Sequence, residues 1–318
     1  MQTPVLYLIF NRPPETRESF AVLRKVQPKK LYIAADGPRK SVAGEAAVCR
    51  EVRDHVLTHI DWDCEVKTLF REENLGCRKA VQGALDWFFN AEPMGIILED
   101  DVIPHPSFFP YATRLLHKHE NDTDIFSING CNIGYENETQ PYGLTRYFNM
   151  WGWATWRRTH ILVKESWDAV PLKSDFKHGS PLLASLKLKT IWPLEEWYAL
   201  WRGHFKNTLN GKIDTWDYQW VYTCLKQEKY AIRPNVNLVS NIGFNEAATH
   251  TKNMDGLSPT QLQLSAIDIE ALDDCSPEVD PRYEIRFVAE KWQHLPIDYT
   301  LLLKKLWKKI GAMLRIRK

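Results

Sequence analysis

The first third of the chain alternates apolar runs with amphipathic stretches. Residues 5–10 are almost unbroken hydrophobic sequence and stop at Asn11-Arg12-Pro13-Pro14, the pattern of a strand buried on both faces. Phe20, Leu23 and Val26 then recur at helical spacing in an otherwise charged stretch starting at Glu15. Residues 31–35 and 65–70 read as two more strands, with a helix expected over 44–60 between them. Cys77, Ala80, Val81, Ala84, Leu85 and Phe88 mark one face of a further helix, whose start Asn74 is expected to cap. Residues 94–98 form a fourth strand, 106–120 a helix and 125–128 another strand. This alternation predicts an α/β, Rossmann-like fold: a mostly parallel sheet flanked by helices.

Beyond residue 130 the pattern is less regular. Residues 134–143 are polar and turn-rich, the composition of a mobile loop, and 147–156 are strongly aromatic. A helix broken by Pro193 is expected over 182–205, and another opens at Thr215-Trp216-Asp217 with Val221, Cys224 and Leu225 on its apolar face. Residues 230–239 read as strand and 241–251 as an ordered loop, while 253–281 are acidic and turn-prone, like a linker or lid. In the last twenty residues Leu302, Leu303, Leu306, Trp307, Ile310, Met313 and Leu314 share one helical arc, opposite Lys304, Lys305, Lys308, Lys309 and Arg315. Such a helix suits an anionic membrane surface or a docked position on protein. The expected division is a catalytic domain over 1–252 (a nucleotide-binding half to 130, an acceptor half from 131), a linker or lid over 253–298, and a C-terminal amphipathic helix over 299–318.

Composition adds exclusions. Lysine plus arginine (41) nearly cancels aspartate plus glutamate (40), so no overall field selects nucleic acid. The six cysteines are scattered without a Cys-x-x-Cys pair, which suggests neither a zinc site nor a disulfide framework. No apolar stretch approaches the ~20 residues of a membrane span, and the N-terminus carries no basic leader. The expectation is a cytoplasmic protein, peripheral on the inner face of the plasma membrane if its tail binds lipid. Neither a dinucleotide fingerprint nor a P-loop is present.

The candidate chemistry lies at strand ends. Glu99-Asp100-Asp101 closes the fourth strand; three adjacent carboxylates repel, and a hard divalent cation would relieve them, though a solvated acidic turn has the same composition. Asn11-Arg12, Asp36-Gly37, Arg71 and the acid triplet all fall at predicted carboxyl ends, where open α/β sheets bind ligands. Arg78 and Lys79 occupy a first helical turn, either to meet an anion or as solvated cations. Trp151-Gly152-Trp153 suits a sugar or nucleoside face, and equally an aromatic core. Asp217 is either a helix-dipole acid or a general base.

Taken in order, these motifs resemble nucleotide-sugar glycosyltransferases of the GT-A fold, of the N-acetylglucosaminyltransferase I type and its bacterial relatives. The resemblance runs over residues 4–252 through Phe10-Asn11-Arg12, Asp36-Gly37, Ile97-Leu98-Glu99-Asp100-Asp101, Pro106-Ser107-Phe108-Phe109, Trp151-Gly152-Trp153, Trp216-Asp217 and the loop carrying His250. It implies a metal-dependent, inverting transfer from a nucleotide-diphosphate sugar, UDP-GlcNAc favoured, to a hydroxyl of a glycan or lipid-linked acceptor. In that reading Asp36 contacts uracil, and Arg12 with Asn11 seats the nucleotide. Arg78 and Lys79 add charge at the diphosphate, and Glu99 and Asp100 lie near ribose and sugar. Asp101 binds Mn2+ (or Mg2+), His250 sits near the metal, Asp217 is the base, and Trp151, Gly152, Trp153 and Trp216 wall the pocket. One departure is that Tyr218 and Gln219 follow Asp217 where the family pattern pairs acids. The alternatives are a sugar-phosphate nucleotidyltransferase, lacking here its glycine-rich basic signature, and a non-catalytic carbohydrate-binding or membrane-surface protein.

Overall fold

The computed structural model describes residues 2–132, 140–168, 195–243 and 263–284. Its centre is β1 (Val5–Ile9), whose five residues are all buried. It lies between β2 (Lys30–Ala35) and β4 (Met94–Glu99), parallel to both, and β3 (Glu65–Phe70) extends the sheet beyond β2. Helices α1 (Pro13–Val26), α2 (Glu45–Thr58) and α3 (Cys77–Ala91) make the crossovers. Pro13 and Pro14 start α1 where missing N–H groups cost nothing, and Phe20 and Leu23 are buried from it.

The second half adds strands of mixed direction. β8 (Trp153–Trp156) runs antiparallel between β4 and β6 (Ile125–Asn129). β9 (Tyr230–Pro234) is parallel to β6, and β7 (Tyr142–Thr145) closes the far edge antiparallel. The order β3-β2-β1-β4-β8-β6-β9-β7 is a mixed, mostly parallel, Rossmann-like sheet flanked by helices, as the alternation predicts. α4 (Phe108–Lys118), α5 (Arg157–Asp168), α6 (Glu195–Leu209) and α7 (Asp217–Lys226) complete the described helices.

Several expectations change. Residues 142 and 143, expected in a loop, begin β7, and the aromatic stretch contains β8. The expected strand over 230–239 ends at Pro234, where the ring supplies no N–H for the ladder. Asn237 then bonds the backbone N–H of Asn132 at 3.0 Å and the carbonyl of Val239 at 2.6 Å. The chain restarts as β10 (Val239–Asn241), paired with β5 (Val102–Pro104) in a separate two-stranded ribbon.

Residues 263–284 pack against the rest of the described structure. Ile267, Leu272, Cys275 and Tyr283 are buried, and Lys118 reaches the carbonyls of Leu272 and Asp273 at 2.8 and 2.9 Å. Arg233 lies 3.9 Å from the Tyr283 ring centroid. All six cysteines are free thiols. No helix among the described residues is long and apolar enough to cross a membrane. The tail over 299–318, the loop residues 133–139 and His250 lie outside the described residues.

Candidate active site

Register brings four strand ends level. Ile9 pairs with Ala35, Ala35 with Phe70, and Leu8 with Glu99. Asn11-Arg12, Asp36-Gly37, Arg71 and Asp100-Asp101 therefore leave the sheet along one rim, the ligand-binding edge of such sheets.

The acid triplet is packed, not a solvated turn. Asp100 is buried; its Oδ2 accepts the Phe10 N–H at 3.0 Å and its carbonyl accepts the Ser19 hydroxyl at 2.8 Å. Arg12 Nη1 donates to Asp101 Oδ2 at 2.6 Å and lies 3.9 Å from Asp100 Oδ1. The Asp101 carbonyl accepts the Ile242 N–H at 2.8 Å, and a Cβ on Gly243 would stand 2.1 Å from Asp101 Oδ2. Only glycine lets the chain pass that carboxylate. Burial, then the Asp101 charge, pushes Asp100 up to about 7. Burial holds Glu99 well above the usual carboxylate range, with Asp101, Asp100 and Asp217 adding to it. Asp101 is also raised by burial, against the pull of Arg12. Enclosure thus favours protons, or a cation in their place.

Asp36 is spent on organising the rim. Its carboxylate accepts the N–H groups of Gly37, Leu75 and Gly76 and the Asn74 amide. Asn74 also donates to the Gly37 carbonyl at 2.8 Å, so it does not cap α3; Gly76 holds that position at φ 79°. Asn11 donates to Glu45 at 2.8 Å, and Glu45, buried, is held from its other side by Arg39. Glu45 carried no signal in the sequence, since it sits in an ordinary first helical turn.

At the start of α3 the nearest anion is the chain's own. Arg78 Nε lies 3.8 Å from Asp214 Oδ1, whose Oδ2 sits 2.8 Å from where a Gly76 Cβ would be. Lys79 is exposed and makes no ion pair among the described residues. The half-buried Cys77 feels Glu99, Asp217, Asp214 and Arg12 together, and burial first, then these carboxylates, holds its thiol protonated. Asp217 opens α7, accepts a bond from the Thr215 hydroxyl, and projects its charge onto Glu99 and Cys77.

The aromatic expectation divides. Trp153 is fully buried, stacked on Trp216 at 5.8 Å and edge-on to Trp220 at 4.7 Å and Phe148 at 4.8 Å. Trp153 and Trp216 are therefore core, not pocket wall, because their faces are consumed by one another. Trp151 is half-buried and keeps exposed surface. Gly152 adopts φ +58°, and a Cβ there would meet Val239 Cγ1 at 2.7 Å. Its role is close packing of β8 on the ribbon.

Among the described residues no group of three or more His, Cys, Asp or Glu side chains is placed to hold a metal. The donor set fits a cation that takes one carboxylate, Asp101, and draws its remaining oxygens from a ligand, as Mg2+ and Mn2+ do with nucleotides.

No protein-family model matches the chain, and no curated protein sequence does. Among solved structures it is similar to a mannosyltransferase from Pyrobaculum calidifontis in complex with GDP-Man and Mn2+, at 14% identity, TM-score 0.34, covering 52% of this chain and 47% of that one. The chain thus spans about half the length of that protein. Mouse xyloside xylosyltransferase 1 in its apo form matches at 11% identity, TM-score 0.34, over 72% of this chain and 82% of that one. A UDP-glucose pyrophosphorylase complexed with UDP-glucose matches at 11% identity, TM-score 0.34, over 73% and 90%.

Proposed function

We propose that this chain is a metal-dependent, inverting glycosyltransferase of GT-A type, moving a sugar from a nucleotide-diphosphate donor to a hydroxyl of a glycan or lipid-linked acceptor. A UDP-sugar, UDP-GlcNAc first, is the favoured donor. The observation that carries the reading is the enclosed Glu99-Asp100-Asp101 cluster on the carboxyl rim, with Asp100 buried and Asp101 paired to Arg12.

In this reading Asp101 and His250 would hold Mn2+ or Mg2+, which would supply positive charge to offset the leaving nucleoside diphosphate. Glu99 and Asp100, kept protonated more readily than surface acids, offer hydrogen bonds to ribose and sugar hydroxyls. Arg12, Asn11, Asp36, Arg78 and Lys79 line the nucleotide side. Asp217 takes the acceptor's proton, assistance worth ~10²–10⁴-fold in rate. Trp151 offers a flat apolar face to a sugar. The basic tail over 299–318 would hold the enzyme at an anionic membrane surface.

A panel of nucleotide sugars with and without Mn2+, scored by nucleotide release, tests the reading. Asp101→Asn should abolish the metal response. Asp217→Asn should cut transfer ~10²–10⁴-fold with donor binding intact; equal loss of donor binding makes Asp217 structural. Pyrophosphate release from a nucleoside triphosphate and a sugar phosphate would identify a nucleotidyltransferase instead.

A further inference from the structure

We infer that Arg12 is a built-in counter-ion that keeps the metal seat on Asp101 closed until a nucleoside diphosphate arrives, so that metal and nucleotide bind as one unit. This rests on the proposed function. Arg12 Nη1 stands 2.6 Å from Asp101 Oδ2 and 3.9 Å from Asp100 Oδ1, the position a cation on that carboxylate would take. Both acids are held in place. Asp100 is tied to the Phe10 N–H, and Asp101 is hemmed by the backbone at Gly243 and fixed through its carbonyl by Ile242.

Arg12 is anchored at its backbone, and among the described residues its guanidinium pairs with Asp101 and Asp100 alone. Its carbonyl accepts the Thr16 N–H at 2.9 Å and Pro13 follows it, which fixes where the side chain departs. Its side chain keeps 23% of its surface exposed. A divalent cation arriving alone must evict a paired guanidinium and leave it unpaired at the cleft. A diphosphate changes that balance. It offers the guanidinium a bidentate anion and supplies the oxygens that one protein carboxylate does not. In the exchange every charge keeps a partner: Asp101 would hold the metal and Arg12 the phosphate. No bond is made or broken covalently.

Two dissociation constants on the full chain test this, that of Mn2+ alone and that of Mn2+ with saturating UDP or GDP, each from protein-bound Mn2+ in equilibrium dialysis with the Mn2+–nucleotide complex measured in protein-free buffer and subtracted. The wild type should bind Mn2+ at least ~10-fold more tightly with nucleotide, and by linkage the nucleotide at least ~10-fold more tightly with Mn2+. Arg12→Met should bind Mn2+ alone ~10-fold more tightly than the wild type and lose most of the coupling. Arg12→Lys, which keeps the charge and guards against a misfolded Met variant, should leave Mn2+ alone weak and cut the coupling several-fold, because an ammonium does not grip phosphate bidentately. Arg12→Met binding Mn2+ no tighter than the wild type, or Arg12→Lys with undiminished coupling, overturns the inference. A wild type that binds no Mn2+ even with nucleotide overturns the proposed function instead.

Discussion

Replacing Asp36 by asparagine preserves the side chain's shape and changes only what its outer atoms offer. In the native carboxylate Oδ1 accepts the Gly37 and Leu75 N–H groups, each at 3.0 Å, and Oδ2 accepts Asn74 at 3.0 Å and the Leu75 and Gly76 N–H groups at 3.1 Å. Every partner is a donor, so neither orientation of an amide fits: whichever atom becomes NH2 faces N–H. Hydrogen bonds to a charged acceptor contribute ~1.5–3 kcal/mol each, and a stranded donor costs ~1–3 kcal/mol. Asp36 is half-buried and Leu75 exposed, so water restores part of the loss. The net expectation is ~2–4 kcal/mol of stability for Asp36→Asn. Asp36→Ala, which leaves room for water, should cost no more than the isostere. Urea denaturation near neutral pH measures both, and amide exchange at Leu75, Gly76 and the first turn of α3 should accelerate in the Asn variant. A cost under about 0.5 kcal/mol for Asp36→Asn, the size of an ordinary surface change, would refute the reasoning.

Two further outcomes follow from burial and backbone geometry. Burial raises the Glu284 carboxyl from 4.5 to about 7 despite the Thr145 hydroxyl and the Arg146 N–H. The folded state therefore binds the proton more tightly, and stability falls as pH rises from about 4.5 through about 7, by on the order of 3 kcal/mol; Glu284→Gln should flatten that part of the Tm–pH curve. Gly152→Ala combines a left-handed backbone with a Cβ 2.7 Å from Val239 Cγ1 and should cost ~2–4 kcal/mol, read as a lower urea midpoint at unchanged slope.

The sheet's first half was legible because β1, β2 and β4 are continuous apolar runs punctuated by polar strand ends, and these polar residues share the rim. β8 escaped because Trp-Ala-Thr-Trp is buried throughout and shows no alternation; β7 escaped because its four residues follow a polar loop. Asn74 looked like a cap by position, but the Asp36 carboxylate three-dimensionally adjacent to it claims its amide. The tryptophans illustrate a general limit: one aromatic motif encodes a pocket wall or a core, and only stacking partners such as Trp216 on Trp153 decide. Glu45 accepts a bond from Asn11, thirty-four residues away, a pairing no local pattern holds.

The β5–β10 ribbon works as a measuring device. Asn241 is registered opposite Val102, which sets Ile242 and Gly243 against Asp101 and nowhere else. A slip of one residue would turn Val239 and Asn241 to the opposite face and present a side chain where the carboxylate leaves room only for hydrogen. The four residues between Pro234 and Val239 are thus counted by the acid they approach. Their length, more than their chemistry, keeps the rim in tune, and a single insertion there would move Ile242 and Gly243 off Asp101 without altering any residue of the rim.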